Sequence, residues 1–272
     1  MVRSDIHTGS VRELLEDVLS EASGEPLLIN PTQRTIRELV ESYQDPDSLP
    51  LVRLLADEQP LKELTEDFLV ASALADLVAE GALDVRVLSA VPRHSLLLTE
   101  DFVVSLVEGE EMVAGLTTRE EEFVESLHSE YEHHWSEASE FSFRTPPLSH
   151  IRETLEADIS SAVVEDFDRV LESLDTAKGD GDGLDEVTIA LLVAANNGEL
   201  LYDISRWGED IRLASKATFS RNKNRLEEAG LIDTEKVPID VGRPRLRLVL
   251  ANGALEEADI EAVAERAQDE LS

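Results

Sequence analysis

The first 145 residues alternate short apolar runs with longer segments whose apolar residues recur at helical spacing. Apolar runs predict strands at 27–29, 51–55 and 85–88. Helical spacing predicts helices at 33–43, 61–80 and 119–135. Alternating segments at 95–98, 102–107 and 112–116 predict a hairpin or meander. This order predicts an α/β domain over 1–145, with a mixed, partly parallel sheet and packed helices.

A long amphipathic stripe comes next. Apolar residues recur every three or four positions from Ile151 to Leu174, which predicts one helix over 150–177, about 42 Å long. This helix is expected to connect the domains across 146–183, packing on the first domain or pairing with its copy in a second subunit. The Gly/Asp run at 179–183 lacks the spacing of a calcium loop and predicts a flexible linker.

The last part of the chain, 184–272, has the order of a winged helix-turn-helix. Predicted helices are 184–196, 200–211 and 216–229, and predicted strands are 234–239 and 245–250. Ser215 is the expected N-cap of the third helix, and Gly230 is the expected stop after it. The predicted class of this part is α+β, with the hairpin as the wing and a helix at the C-terminus.

Composition and charge change this picture in one respect. The 272 residues include 24 basic and 59 acidic ones, a net charge of −35, and no cysteine. The absence of cysteine excludes disulfides, zinc ribbons and thiolate nucleophiles. An acidic, lysine-poor chain resembles the proteins of salt-accumulating halophiles, in which net charge says little about partners because molar salt screens it within about 3 Å. The local distribution of positive charge is then the more informative signal.

That distribution is uneven. From Arg206 to Arg247 there are ten basic and seven acidic residues, a net charge of +3, while the rest of the chain has a net charge of −38. Between Arg212 and Arg225 five basic residues occur with no acidic one. A basic cluster on a helix is the usual electrostatic footprint of a nucleic-acid-binding protein.

The sequence of the third helix and the hairpin resembles the winged helix-turn-helix superfamily. Residues 213–221 read LASKATFSR, residues 224–232 read NRLEEAGLI, and Gly242-Arg243-Pro244-Arg245 is similar to a wing tip. Over its full length the chain resembles the haloarchaeal TbsP (TrmB-suppressor) transcriptional regulators. The resemblance implies a regulator that acts with the sugar sensor TrmB on genes of central carbon metabolism, such as those of gluconeogenesis.

A helical wheel separates two faces of the third helix. Phe219, Leu226 and Ala229 lie on the face expected to pack inward, with Asn222 as a polar exception. The opposite face carries the side chains expected to read bases in the major groove. Lys216, Lys223 and Arg225 are expected to contact phosphates, and Arg243 the adjacent minor groove. The predicted DNA-binding residues are Ser215, Lys216, Thr218, Ser220, Arg221, Lys223, Asn224, Arg225, Arg243 and Arg245.

Other candidate sites are less specific. Thr32, Arg34 and Arg93 follow strand ends, where α/β sheets bind ligands, so they are candidates for an anionic metabolite, although ordinary capping explains them as well. His128 and Glu132 are four residues apart on one helix, but a third ligand is missing, so no metal and no cofactor are expected.

The main interpretation is a dimeric transcription factor that binds double-stranded promoter DNA and has a small-metabolite effector. The alternatives are a metabolite-binding protein or enzyme with an accessory winged helix, and a partner-binding adaptor. The longest apolar run, 187–195, is too short to span a membrane, and the first residues lack a signal peptide, so a cytoplasmic location without membrane contact is expected.

Overall fold

The computed structural model describes residues 5–43, 50–88, 92–110, 112–174, 176–177, 184–239, 244–251 and 253–271. The chain divides into two compact units. The first comprises Met1–Thr65 and Ala73–Phe143, and the second comprises Glu66–Ser72 and Arg144–Ser272. Within the described ranges, no helix has both the length and the apolar character that a membrane crossing requires.

The first unit is built on one mixed sheet. Its strands are β1 Asp5–Gly9, β2 Leu27–Ile29, β3 Val52–Ala56, β4 Leu83–Val87, β5 Ser95–Leu98, β6 Val103–Glu108, β7 Val113–Thr118 and β8 Ser139–Glu140. They form the order β1-β7-β6-β5-β2-β3-β4-β8. The β2–β3 and β3–β4 pairs are parallel, and the other pairs are antiparallel. The predicted mixed, partly parallel sheet is therefore confirmed.

The helices of the first unit include one that was not predicted and two that divide one predicted helix. They are α1 Val11–Glu21, α2 Gln33–Ser42, α3 Glu58–Leu64, α4 Phe68–Ala79 and α5 Glu121–Glu137, and α4 begins in the second unit. The predicted single helix over 61–80 is wrong. The buried Asp67 carboxylate accepts hydrogen bonds from the backbone N–H of Leu69 (3.3 Å) and of Ala177 (3.1 Å), so a capping side chain starts a new helix there.

The second unit contains the helices and the hairpin of the predicted winged helix-turn-helix. Its elements are α6 Leu148–Asp158, α7 Ser161–Ser173, α8 Glu186–Asn196, α9 Leu201–Asp210, α10 Lys216–Glu228, β9 Ile232–Val237, β10 Arg245–Leu250, α11 Gly253–Glu256 and α12 Ile260–Leu271. Helix α8 lies at the centre, with every residue from Val187 to Ala195 buried. The predicted fold class, an α/β part followed by a helix-turn-helix part, is confirmed.

The predicted long connecting helix over 150–177 is wrong as a single element. Ile159 leaves the helical conformation (φ −118°, ψ −87°), and the Ser160 hydroxyl caps α7 by accepting from the N–H of Val163 at 3.4 Å. Both α6 and α7 bury their apolar stripes in the core of the second unit, where the Trp207 indole donates to the Thr154 hydroxyl at 3.0 Å. The apolar stripe was therefore identified correctly, but it packs in this core, whereas the prediction was packing on the first domain or pairing with a second copy. The predicted Gly/Asp linker, 179–183, lies outside the described residues.

Gly208 permits close packing between α9 and α10. A methyl group at this position would lie 2.4 Å from two ring carbons of Phe219, which is fully buried. Both helices would have to move to relieve this overlap.

Gly208→Ala is therefore expected to lower the free energy of unfolding of the second unit by about 1–3 kcal/mol, the usual cost of overpacking. Gly253→Ala is the matched control, because nothing lies within 4 Å of a methyl group there. Denaturant unfolding of both variants is the measurement. Equal stability of the two variants would contradict the close contact.

Candidate nucleic-acid interface

Helix α10 is fixed by its N-cap and by two apolar anchors. The Ser215 hydroxyl accepts from the N–H of Thr218 at 3.2 Å, as its predicted capping role requires. Phe219 and Leu226 are buried against the other helices of the unit. The helix is thereby held at both ends of its inner face, so its outer face has a fixed orientation.

The outer face of α10 carries the side chains that the helical wheel placed there. The exposed residues of this face are Ser215, Lys216, Ala217, Ser220, Arg221, Asn224 and, in the last turn, the acidic Glu228. Arg221 has one weak contact, an Nη2–Oγ1 distance of 3.4 Å to Thr218, which is itself partly buried. Arginine and asparagine on an exposed helix face have the geometry to pair bidentately with guanine and adenine edges.

Lys216 lies on this face but has an acidic partner. Its ammonium group lies 2.6 Å from a carboxylate oxygen of Glu209 on α9, and both side chains are about half exposed. The hydrogen bond raises the pKa of Lys216 and lowers the pKa of Glu209. A phosphate that binds Lys216 would compete with this carboxylate.

The structure does not place Lys223 and Arg225 on the outer face. The ammonium group of Lys223 lies 2.7 Å from the Glu227 carboxylate, and its side chain is only 11% exposed. Arg225 donates to the backbone carbonyl of Leu271 in α12 at 2.8 Å. In this structure both cations stabilise the domain, and their geometry gives no support to the predicted phosphate contacts.

The polar exception on the inner face also has a partner. The Asn222 amide donates to both carboxylate oxygens of Asp185, at 2.9 and 3.2 Å. Asp185 is at the same time the N-cap of α8, accepting from the N–H of Thr188 at 2.6 Å. Asn222 therefore links α10 to the start of the central helix.

The hairpin places a second basic group beside α9. Strands β9 and β10 pair in antiparallel register from Ile232–Leu250 to Val237–Arg245. The Arg245 guanidinium lies 4.4 Å from the centre of the Tyr202 ring and 3.3 Å from the Asp203 carboxylate. Arg247 is exposed, whereas Leu248 and Leu250 are buried, as the alternation predicts. Arg243 lies outside the described residues.

A cleft of 390 Å³ brings three of the predicted DNA-binding residues together. It is lined by Lys216 and Ser220 of α10, by Arg245 of the hairpin, and by the exposed aromatic ring of Tyr202 on α9. Sequence reasoning missed Tyr202 and the pairing acids Asp203 and Glu209. Their spacing from Arg245 and Lys216 has no local pattern, because the turn and the hairpin create these contacts.

Two of the three residues proposed to bind a metabolite, Thr32 and Arg34, have partners within the first unit. Thr32 caps α2, and its hydroxyl lies 2.8 and 2.9 Å from the two Glu108 carboxylate oxygens. Arg34 donates to the carbonyl of Glu110 at 3.1 Å. Glu108 thus takes the position at the start of α2 where an anionic ligand was expected. Arg93 is exposed in the segment before β5, and its proposed role remains a prediction.

The His128–Glu132 pair on α5, considered above as a metal site, is also explained by contacts within the first unit. The nearest His128–Glu132 contact is 3.8 Å, whereas Glu132 holds the Arg53 guanidinium at 2.5 Å. The Arg53 hydrogen bond lowers the pKa of Glu132. Among the described residues, no group of three potential metal ligands occurs.

Comparison with known proteins gives a family match over almost the whole chain. Residues 3–146 match the model of the N-terminal domain of TbsP-like transcriptional regulators, and residues 147–268 match the model of their C-terminal helix-turn-helix domain. No curated protein matches the chain.

Several solved structures show distant likeness. The archaeal chromatin protein TrmBL2, described with a novel mode of DNA binding, is 16% identical over 50% of this chain and 54% of its own, with a TM-score of 0.35. The chain thus spans about half the length of TrmBL2. Nuc of Salmonella typhimurium, a phospholipase D family member, is 12% identical over 51% of this chain and 99% of its own, with a TM-score of 0.37. NucT of Helicobacter pylori is 12% identical over 51% and 100%, with a TM-score of 0.38.

These TM-scores are too low to bear on function, whereas the two family models cover both parts of the chain. The chain belongs to the family of TbsP-like transcriptional regulators.

Proposed function

We propose that this chain is a sequence-specific DNA-binding regulator that reads the major groove with α10 and uses the β9–β10 hairpin as a wing. The observation that carries the proposal is the exposed face of α10. It presents Ser220, Arg221 and Asn224 to solvent on a helix whose inner side is anchored by Phe219 and Leu226. Family membership supports the regulatory role.

Electrostatics supports the same surface. The acidic residues exceed the basic ones by 35 over the whole chain, yet this face and the adjoining cleft present Lys216, Arg221 and Arg245. Two of these cations are held by carboxylates of α9, which fixes their positions before DNA arrives. Phosphates would replace those carboxylates, and Arg221 remains available for a base edge.

The remaining parts of the proposal concern assembly and targets. We propose that the chain acts as a homodimer, because two recognition helices one helical turn apart match a two-fold symmetric DNA site. The first unit is the proposed site of dimerisation or effector sensing. The resemblance to TbsP regulators is the support for target genes in central carbon and sugar metabolism.

Arg221→Ala tests the direct reading of bases. We expect this variant of the full chain to lose about 1–3 kcal/mol of discrimination at one base position of each half-site, which is about 5–150-fold in relative affinity. The measurement is the sequence preference of the wild type and the variant for a randomised DNA pool, at a salt concentration at which both are folded.

Lys216→Ala is the matched control, because it removes a positive charge from the same face. It is expected to weaken binding to all sequences alike and to lower the slope of log K against log salt by about 1. The proposal fails if the wild-type chain has no sequence preference, or if Arg221→Ala leaves that preference unchanged.

A further inference from the structure

Arg212, in the turn between α9 and α10, has an unusual backbone conformation for its residue type. Its φ is +62°, in the left-handed region that glycine adopts without cost. Within the described residues, the other non-glycine position with positive φ is Asn30, a residue type that tolerates this region better than arginine. The strain at Arg212 therefore calls for a physical reason.

The backbone around Arg212 forms a Schellman motif at the end of α9. The N–H of Leu213 donates to the Gly208 carbonyl at 2.8 Å, and the N–H of Arg212 donates to the Glu209 carbonyl at 3.1 Å. Ile211 and Leu213 pack against the core on either side. The turn is thus held firmly, and the side chain of Arg212 is directed to solvent from a fixed base.

The same motif ends three other helices of this chain, and there the left-handed residue is glycine. Gly81 follows α4, Gly198 follows α8 and Gly230 follows α10, with φ between +67° and +74°. Each shows the same pair of backbone hydrogen bonds as Arg212. Glycine would therefore serve the turn better than arginine, so the arginine is explained by its side chain and not by the fold.

The side chain of Arg212 carries a charge that its neighbours do not neutralise. The two acids closest in sequence pair with other cations, Glu209 with Lys216 at 2.6 Å and Asp210 with Arg206 at 3.4 Å. In the described part of the chain, no hydrogen bond or ion pair engages the exposed Arg212 guanidinium. A strained, exposed and uncompensated arginine in an otherwise acidic protein indicates binding to an anion.

We infer that Arg212 contacts the DNA backbone and binds a phosphate at the edge of the groove that α10 enters. This inference rests on the proposed function. In helix-turn-helix proteins the recognition helix directs its N-terminal residues to base edges while the preceding helix crosses the backbone. The turn that joins them, three residues before Ser215, therefore faces phosphates. Arginine suits this place because its planar fork binds two phosphate oxygens together.

Two variants, Arg212→Gly and Arg212→Lys, separate the contribution of the side chain to DNA binding from the effect of backbone strain on stability. Arg212→Gly removes both, so we expect its melting temperature to rise by about 2–4 °C. Its affinity should fall for every DNA sequence, and the slope of log K against log salt should decrease by about 1 for each bound subunit. Arg212→Lys keeps the charge and the strain, so its salt slope should equal that of the wild type, with affinity lowered by the loss of the two-pronged contact.

Arg266→Ala is the control for a general effect of charge, because Arg266 is an exposed arginine paired with Glu270 on α12. It should leave the salt slope unchanged. An Arg212→Gly variant with wild-type affinity and salt slope would overturn the inference, even if Arg221→Ala still lowered base discrimination. Absence of DNA binding by the wild-type chain would instead overturn the proposed function and this inference with it.

Discussion

Phe219→Ala is expected to lower the free energy of unfolding of the second unit by about 3–5 kcal/mol, the usual cost of deleting a large buried aromatic side chain. The ring is fully buried and lies directly against the backbone of α9 at Gly208. Its removal leaves a cavity between the two helices of the helix-turn-helix, and rigid α9 and α10 cannot close around it. The outer face of α10 would then lose its fixed orientation.

The two tryptophans of the chain make this measurement specific. Trp135 lies in the first unit and Trp207 in the second, where it is buried and hydrogen-bonded to Thr154. In a Trp135→Phe background, indole fluorescence reports only on the second unit during denaturant unfolding. Ile239→Ala is the control, since Ile239 lies in the same unit and is 40% exposed, so its loss should change stability by less than about 0.5 kcal/mol. If Phe219→Ala lowered the free energy of unfolding by less than about 1 kcal/mol, α9 and α10 would not be packed as described.

The sequence was sufficient to predict most of the second unit. The apolar pattern predicted the three helices from 184 to 229 within two residues of their observed bounds at each end, because α8 is a nearly continuous apolar run and α9 and α10 each pack one apolar face. Ser215 was identified as a cap because the preference of serine for that position is local. The exposed face of α10 followed from the same periodicity. Features that depend on neighbouring residues are therefore accessible to sequence reasoning.

Features that depend on contacts between residues far apart in the sequence were not predicted. The break at Ser160 was missed because the apolar stripe continues across it, and only the folded core shows that α6 and α7 are separate helices. Strand β1 and helix α1 were also missed. Strand β1 is defined by its pairing with β7, more than one hundred residues later.

The candidate site shows the same division. Lys216, Lys223 and Arg225 are equivalent in sequence, as cations on one helix. The structure separates them through partners on other turns and elements, namely Glu209, Glu227 and Leu271. Whether a cation on α10 is exposed or engaged within the fold is decided by these partners, which a helical wheel does not include.

Asp166→Ala is expected to lower the free energy of unfolding of the second unit by about 1–3 kcal/mol, because it removes the acceptor of partly buried amide donors. Asp166 is 6% exposed, and one of its oxygens accepts from the side-chain amides of Asn196 and Asn197, both at 2.7 Å. Its other oxygen accepts from Arg169. This carboxylate therefore holds α7 to the C-terminal end of the central helix α8.

The pH dependence of stability gives a second, independent measure of the same contact. Burial alone would raise the pKa of Asp166, but the hydrogen bonds from Arg169, Asn196 and Asn197 outweigh it, so the pKa lies below its ordinary value. A depressed carboxyl pKa stabilises the fold at pH values above the unfolded pKa of about 3.9, and this stabilisation is lost as pH falls through the folded value. Relative to the wild type, Asp166→Ala should thus be most destabilised near neutral pH, and the difference should shrink on acidification.

Asp166→Asn separates charge from hydrogen bonding. Its amide oxygen still accepts from one of the asparagines, so we expect a smaller loss of stability than in Asp166→Ala. The dependence of stability on pH in the acid range should be weakened as much as in Asp166→Ala. Denaturant unfolding followed by Trp207 fluorescence at pH 7 and at pH 3.5 measures both effects. If Asp166→Ala were as stable as the wild type at pH 7, or if the difference between them grew on acidification, the carboxylate would not hold α7 to α8. The position of α8, on which α10 packs through Asn222 and Asp185, would then be set by other contacts of the core.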